Sequence, residues 1–316
     1  MKRRTFLLLP VFAFSSMLSA SEEKRCRVCG NIIGDREHFY QVKGSKEVVC
    51  ERCFAEAPRC SVCKLPTASA TLDPETGACS KCLAGLPRCL ACGRPILGRG
   101  YRFSTSAGIF CADCKEHRHA CDLCGVPVGN TFWQYPDGRI ICNECGRRAI
   151  FDLRVVESIM RDVQKSVEKR LGLKIRAPYA LKVETMSGIG PADGSGGMTA
   201  GAGREALFRG ELGSFLINNG KPEIILLFGL PPDLLYEAGA HEYAHAWLAE
   251  NAQAGLEVEL QEGFAQWVAA EVLRDRGFSN VLAELEGRKD YPYGTGYQRL
   301  KTMQQKIILD LLQSKR

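Results

Sequence analysis

Sixteen cysteines, each in a Cys-x-x-Cys pair, constrain the first half of this 316-residue chain more than any other feature. The pairs form four successive modules: Cys26, Cys29, Cys50 and Cys53; Cys60, Cys63, Cys79 and Cys82; Cys89, Cys92, Cys111 and Cys114; Cys121, Cys124, Cys142 and Cys145. Six residues separate each module from the next, at 54–59, 83–88 and 115–120. Such regularity marks an internal repeat. Two sulfurs three residues apart on a tight turn can bind one ion, and two such turns complete a tetrahedral four-cysteine site. Val48-Val49, Ile109-Phe110 and Ile140-Ile141 lead apolar pairs into the second turn of their modules, and Tyr135-Pro136-Asp137-Gly138 supplies a β-turn, so hairpins are expected between the turns. Units this small hold little apolar core and need staples.

Disulfide-rich domains rarely place every cysteine in a three-residue pair at near-constant spacing, and no βαβ context suits a redox pair. Four structural zinc ions are therefore expected, in closed sites whose function is to present a surface to a protein partner. His117 and His119 lie in the third spacer, beside modules already complete in ligands, and read as solvated. The modules resemble LIM domains, which pair two zinc fingers in tandem, but carry no ligand histidine and have longer spacers.

The formal net charge of +6 is a poor guide to partners. Lys2, Arg3 and Arg4 belong to an expected leader, and without them the charge is +3. Each metal-bound tetrathiolate carries two net negative charges, which takes the total to about −5. With no basic recognition helix, nucleic acid is not an expected partner. The leader spans residues 1–20: a basic start, an apolar run from Phe6 to Met17, and Leu18-Ser19-Ala20 as a small-residue cleavage site. Arg3-Arg4-Thr5-Phe6-Leu7 resembles the twin-arginine export signal, with the general secretory route as the alternative. The expectation is an exported protein, periplasmic or secreted, without a stable membrane span.

From Arg147 the pattern changes. Leu153, Val156, Ile159, Met160, Val163 and Val167 recur at helical spacing, giving a linker helix over 147–172 that stops at Gly172. Residues 187–203 hold seven glycines without a phosphate-loop pattern, and read as a surface loop flanking a cleft. Two strands, 214–217 and 224–228, flank the turn Asn218-Asn219-Gly220, and Pro231-Pro232-Asp233 starts a helix. That helix carries His241-Glu242-Tyr243-Ala244-His245, an H-E-x-x-H motif. Residues i and i+4 share a helix face, so both imidazoles can reach one zinc ion, with Glu242 beside them as general base. Two histidines make a weak site. Glu262, opening a second apolar helix with sixteen residues between it and His245, is the expected third ligand, with the fourth position open to water.

Residues 222–231, followed by 241–248 and by Glu262-Gly263 and Tyr293-Gly294-Thr295-Gly296-Tyr297, resemble the DA-one family of LIM-domain peptidases. That resemblance covers roughly 150–316 and implies a zincin-like metallopeptidase domain of gluzincin type acting on a peptide. Tyr293 or Tyr297 is the expected oxyanion donor, and the edge of strand 224–228 the expected seat for an extended substrate. The full expectation is an α+β chain: signal peptide 1–20, four tandem LIM-like zinc fingers of four cysteines each over 21–146, linker helix 147–172, and peptidase domain 173–316. One catalytic and four structural zinc ions serve it, and its substrate is a peptide or protein. The alternative is a zinc-finger scaffold whose second half binds peptide without turning it over.

Overall fold

The structure, a computed structural model, describes residues 23–186 and 212–313. The expected leader and glycine-rich loop lie outside the described residues. The chain divides into two compact units between Leu86 and Pro87, which puts two cysteine modules in each unit.

In the first unit, β1 (Phe39–Gln41) pairs antiparallel with β2 (Val48–Cys50), and α1 (Glu51–Glu56) follows at once. The second module replaces the hairpin with a short 3-10 turn, Ser69–Thr71, and a single bridge between Leu72 and Cys79 before α2 (Ser80–Gly85). Cysteines make up much of each small core: Cys26 and Cys53 pack with Ile33, Val48 and Val49, and Cys60 and Cys79 with Ala78. Interiors this thin depend on what the sulfurs bind.

The second unit repeats the pattern twice. Strands β3 (Gly100–Tyr101) and β4 (Phe110–Cys111) lead into α3 (Ala112–His117), and β5 (Trp133–Gln134) and β6 (Ile140–Ile141) lead into α4 (Asn143–Arg148). This unit begins ahead of the third module, not at the expected boundary near residue 147. The reason is physical: Phe228 packs against the cluster formed by the third and fourth modules, and the Arg139 guanidinium, almost fully buried, donates to the Phe228 carbonyl at 2.6 Å.

Helix α5 (Leu153–Leu171) starts at Asp152, whose carboxylate accepts the Arg154 amide, and ends at Gly172 in the left-handed region. Expected as a linker, it is part of the main core: Val156, Met160, Val163 and Val167 are buried there. A sheet follows from β7 (Ala180–Glu184), β8 (Gly213–Asn218) and β9 (Lys221–Leu227), ordered β7-β9-β8. Asn219 and Gly220, both at positive φ, make the tight β8–β9 turn that the sequence predicts. Strand β9 is central, parallel to β7 and antiparallel to β8, so it has no free edge. The expectation that residues 224–228 receive a substrate strand is thereby corrected; the missing information was β7, which claims that edge. Among the described residues five helices complete the unit: α6 (Pro232–Asn251), α7 (Val258–Arg276), α8 (Ser279–Gly287), α9 (Tyr293–Leu300) and α10 (Gln305–Gln313). The whole is a mixed α+β architecture with tandem cysteine clusters that could be zinc fingers. Among the described residues no helix is long and apolar enough to cross a membrane.

Candidate metal centre

Helix α6 begins with Pro232, whose fixed φ suits a first turn. It then runs through the core with Leu235, Ala240, Tyr243 and Ala244 buried. Tyr243, inside the H-E-x-x-H motif, points away from the histidines; its hydroxyl donates to the Leu173 carbonyl at 3.3 Å and accepts the Ile175 amide at 3.4 Å. The segment after α5 thus fixes the rotation of α6. Gly255, at φ +75°, lies in the connection to α7, where Glu262 sits in the second turn; the helix opens at Val258 rather than at Glu262 as expected.

The structure brings His241, His245 and Glu262 together. The two Nε2 atoms are 3.1 Å apart, and Glu262 Oε2 lies 3.1 Å from His241 Nε2 and 3.3 Å from His245 Nε2. A tetrahedral zinc ion with bonds near 2.0 Å needs ligand atoms about 3.3 Å apart. The three atoms therefore form one face of such a tetrahedron, and the donor set fits zinc. Glu242 is buried on the same helix. An added Cβ at Gly213 would come within 2.9 Å of Glu242 Cγ, so only glycine lets β8 pass this close.

Electrostatics divide the two carboxylates in the metal-free chain. Burial pushes Glu242 up; the histidine charges pull it back and Glu262 adds to the rise. Burial also acts upward on Glu262, but hydrogen bonds from His241 and His245, with their charges, hold it well below the usual carboxylate range. Burial lowers His245, yet the Glu262 hydrogen bond and the charges of Glu262 and Glu242 outweigh it and the net shift is upward. One carboxylate is thus held ionised against the imidazoles and the other is proton-hungry beside them.

The two tyrosines part company. Tyr293, at the start of α9, stands with its ring 5.9 Å from the His241 ring, and the Arg288 guanidinium lies over it at 4.8 Å. Tyr297 is buried elsewhere and donates its hydroxyl to Glu286 at 3.2 Å, so the expectation of a role for it at the centre is corrected. A helix puts residues four apart on one face, but the fold turns that face partly inward. Helices α7 and α9 meet without side chains between them: an added Cβ at Gly263 would lie 2.4 Å from the Gly296 carbonyl carbon, and one at Gly296 would lie 2.1 Å from the Glu259 oxygen. Gly213 and Tyr243 escaped sequence reasoning; Gly213 carries no local signal, and Tyr243 is visible only as the buried residue within the motif.

Each cysteine tetrad also gathers, with its ligand atoms within 4.8 Å of one another. Cys92 and Cys111 sulfurs are 3.9 Å apart and those of Cys124 and Cys142 3.7 Å, close to the edge of about 3.8 Å set by zinc–sulfur bonds near 2.3 Å. Disulfide sulfurs would stand about 2.05 Å apart. In every module the amide of the third cysteine donates to the sulfur of the first: Cys50 to Cys26, Cys79 to Cys60, Cys111 to Cys89 and Cys142 to Cys121, at 3.2–3.4 Å. An amide aimed at sulfur favours the thiolate, the form a metal binds. His117 and His119 turn instead to Asp113 and Asp122.

No family model matches the chain. It is 25% identical over 295 residues to Protein DA1-related 2 of Arabidopsis thaliana, a match that takes in 81% of this chain. The chain spans about half the length of that curated relative, 50% of which is covered. The likeness and the four cysteine clusters together fit a DA1-like family.

Proposed function

We propose that this chain is a zinc-dependent peptidase, with His241, His245 and Glu262 as ligands of the catalytic zinc and Glu242 as general base. The observation that carries the reading is the convergence of three ligand atoms at 3.1–3.3 Å with a buried carboxylate, Glu242, on the helix that bears both histidines. When bound, zinc supplies Lewis-acid polarisation of a carbonyl and acidifies a water molecule. Glu242, buried on the helix that carries both histidines, takes a proton from the attacking water and passes it to the leaving amine. Tyr293 is the donor for the developing oxyanion, the role its position beside His241 supports. Gly213 keeps the space beside Glu242 clear of a side chain.

The four tetrads hold structural zinc in LIM-like fingers, and the first unit is where a protein partner docks. The chain is exported by its leader. A folded, metal-loaded protein would cross by the twin-arginine route with its thiolates already protected; normal export in a strain lacking only that machinery would exclude this route.

The deciding experiment compares wild type and Glu242→Gln on a panel of denatured proteins, with zinc measured in both. Cleavage by wild type and none by the variant at equal zinc content is the expected result. Equal cleavage would remove Glu242 from its role, and no cleavage by either would favour a peptide-binding scaffold.

A further inference from the structure

A cavity of about 1390 Å³ in the second unit is not the metal centre, none of whose ligands line it, but a space beside it. One wall is the third and fourth cysteine modules, with Phe103, Phe110 and Val126; the other is helix α6 and the α8–α9 segment, with Leu234, Val281 and Leu285. Its volume exceeds the roughly 1,000 Å³ typical of the upper end of small-molecule sites, which suits a stretch of polypeptide.

Three features place it next to the centre. Glu237 lines it and precedes His241 by four residues, hence by one turn on the same helix face. Arg288 lines it and lies over the ring of Tyr293, itself beside His241. Leu212 lines it and adjoins Gly213, which passes Glu242.

The charges of the walls are unevenly matched. The three wall arginines are each held by a carboxylate: Arg147 by Glu144, Arg148 by Asp233 and Arg288 by Asp290, at 2.5, 2.8 and 2.6 Å. Among the described residues Glu284 accepts the Ser104 hydroxyl alone, at 3.1 Å, and Lys289 is an exposed cation of the lining. Glu237 has neither a hydrogen bond nor an ion pair among the described residues. Burial, reinforced by Glu284 and Asp233 against the opposing Arg288, pushes its carboxyl up to about 7. A carboxylate desolvated in this way gains most from a cation brought to it.

We propose that this cavity holds the substrate segment flanking the bond to be cut and that Glu237 seats a lysine or arginine side chain of that segment. The inference rests on the peptidase reading for the word substrate, but the binding it asserts does not depend on turnover. It also gives the third and fourth modules a second duty: they are a wall of the cleft.

The test uses full-length zinc-loaded protein in a Glu242→Gln background, so that peptides survive. Fluorescence anisotropy measures binding of a twelve-residue Ala/Ser/Leu peptide carrying one lysine, walked along its length, against the same peptides with norleucine or glutamate there. At one position lysine should bind at least tenfold more tightly than norleucine. Adding Glu237→Gln should abolish that preference, and Glu237→Lys should reverse it towards glutamate, with zinc content and far-UV circular dichroism unchanged. No lysine preference at any position, or a preference that survives Glu237→Gln, overturns the proposal; the first comparison needs no variant at Glu237. Cleavage by wild type that ignores lysine would end this proposal and leave the peptidase reading standing. Lysine-dependent binding without any cleavage by wild type would support the proposal and end the peptidase reading.

Discussion

The Tyr135 hydroxyl donates a hydrogen bond of 3.2 Å to the carbonyl of Gly229, tying the fourth cysteine module to the turn that launches helix α6. Burial pushes Tyr135 up to about 12, so the hydroxyl stays a donor at any working pH. Gly229 is at φ +71°, and an added Cβ would sit 2.6 Å from the Tyr135 ring and 2.9 Å from Phe151. Tyr135→Phe should therefore cost about 1 kcal/mol, and Gly229→Ala about 2–4 kcal/mol through strain and clash together. Urea unfolding of zinc-loaded protein, followed by tryptophan fluorescence, checks both values and their order.

Zinc content should be five equivalents per chain by elemental analysis. His245→Ala should leave four and an intact fold, because the large apolar core of α5, β9, α6 and α7 does not depend on the metal. Cys142→Ser should also leave four but lower stability markedly, since its cluster contains Cys121, Cys142 and Cys145 and packs against Phe228.

Tyr293→Phe and Tyr297→Phe should separate cleanly in the peptidase assay. The first removes a hydroxyl from the residue beside His241 and should lower kcat by about 10²–10³-fold with zinc retained. The second removes a bond to Glu286 and should change kcat less than about twofold while costing roughly 1 kcal/mol of stability.

Asp162 gives a pH dependence with a definite sign. The Tyr236 hydroxyl at 2.6 Å lowers its pKa most, and Arg276 at 2.8 Å adds to the effect. A carboxyl depressed in the folded state contributes stability that is fully present above its unfolded value, about 3.9, and is lost as pH falls through the lower folded value. Asp162→Asn should remove that part of the acid-side decline, so that the variant's stability falls less steeply than wild type below about pH 4.

Gly263→Ala should be among the most disruptive single changes outside the ligands, at about 2–4 kcal/mol, because the added carbon meets backbone and not a flexible side chain. Thermal unfolding with zinc present measures the loss. A drop in bound zinc from five to four in the same variant would trace the damage to Glu262, the adjacent residue.

Much of this was legible beforehand because it depends on short-range spacing. Cys-x-x-Cys pairs fix their own sulfurs on one turn, and His241 and His245 share a face by helical period alone. Glu262 followed from the same logic with one added assumption, the turn at Gly255, although its helix opens four residues earlier. What escaped depends on long-range packing. The parallel partner β7 sits more than forty positions from β9 and carries only alternating burial, so the sequence offered β9 a free edge that the fold fills. Glu237 lies four residues before His241, but its place in a cavity that the third and fourth cysteine modules also line depends on packing between distant segments. Phe228 and Arg139, almost ninety residues apart, decide that the third and fourth modules belong with the second half.

The contact of Gly263 with Gly296 brings two main chains together with no rotamers between them. A side-chain interface can relax by exchanging conformers, so the groups it carries drift as temperature rises. Here the helix bearing Glu262 and the helix opened by Tyr293 lack that soft coordinate, and their separation is held by covalent geometry on both sides. The centre should therefore keep its dimensions under mild denaturing conditions and lose them abruptly when the helices part, so that metal release and helix separation form a single cooperative event.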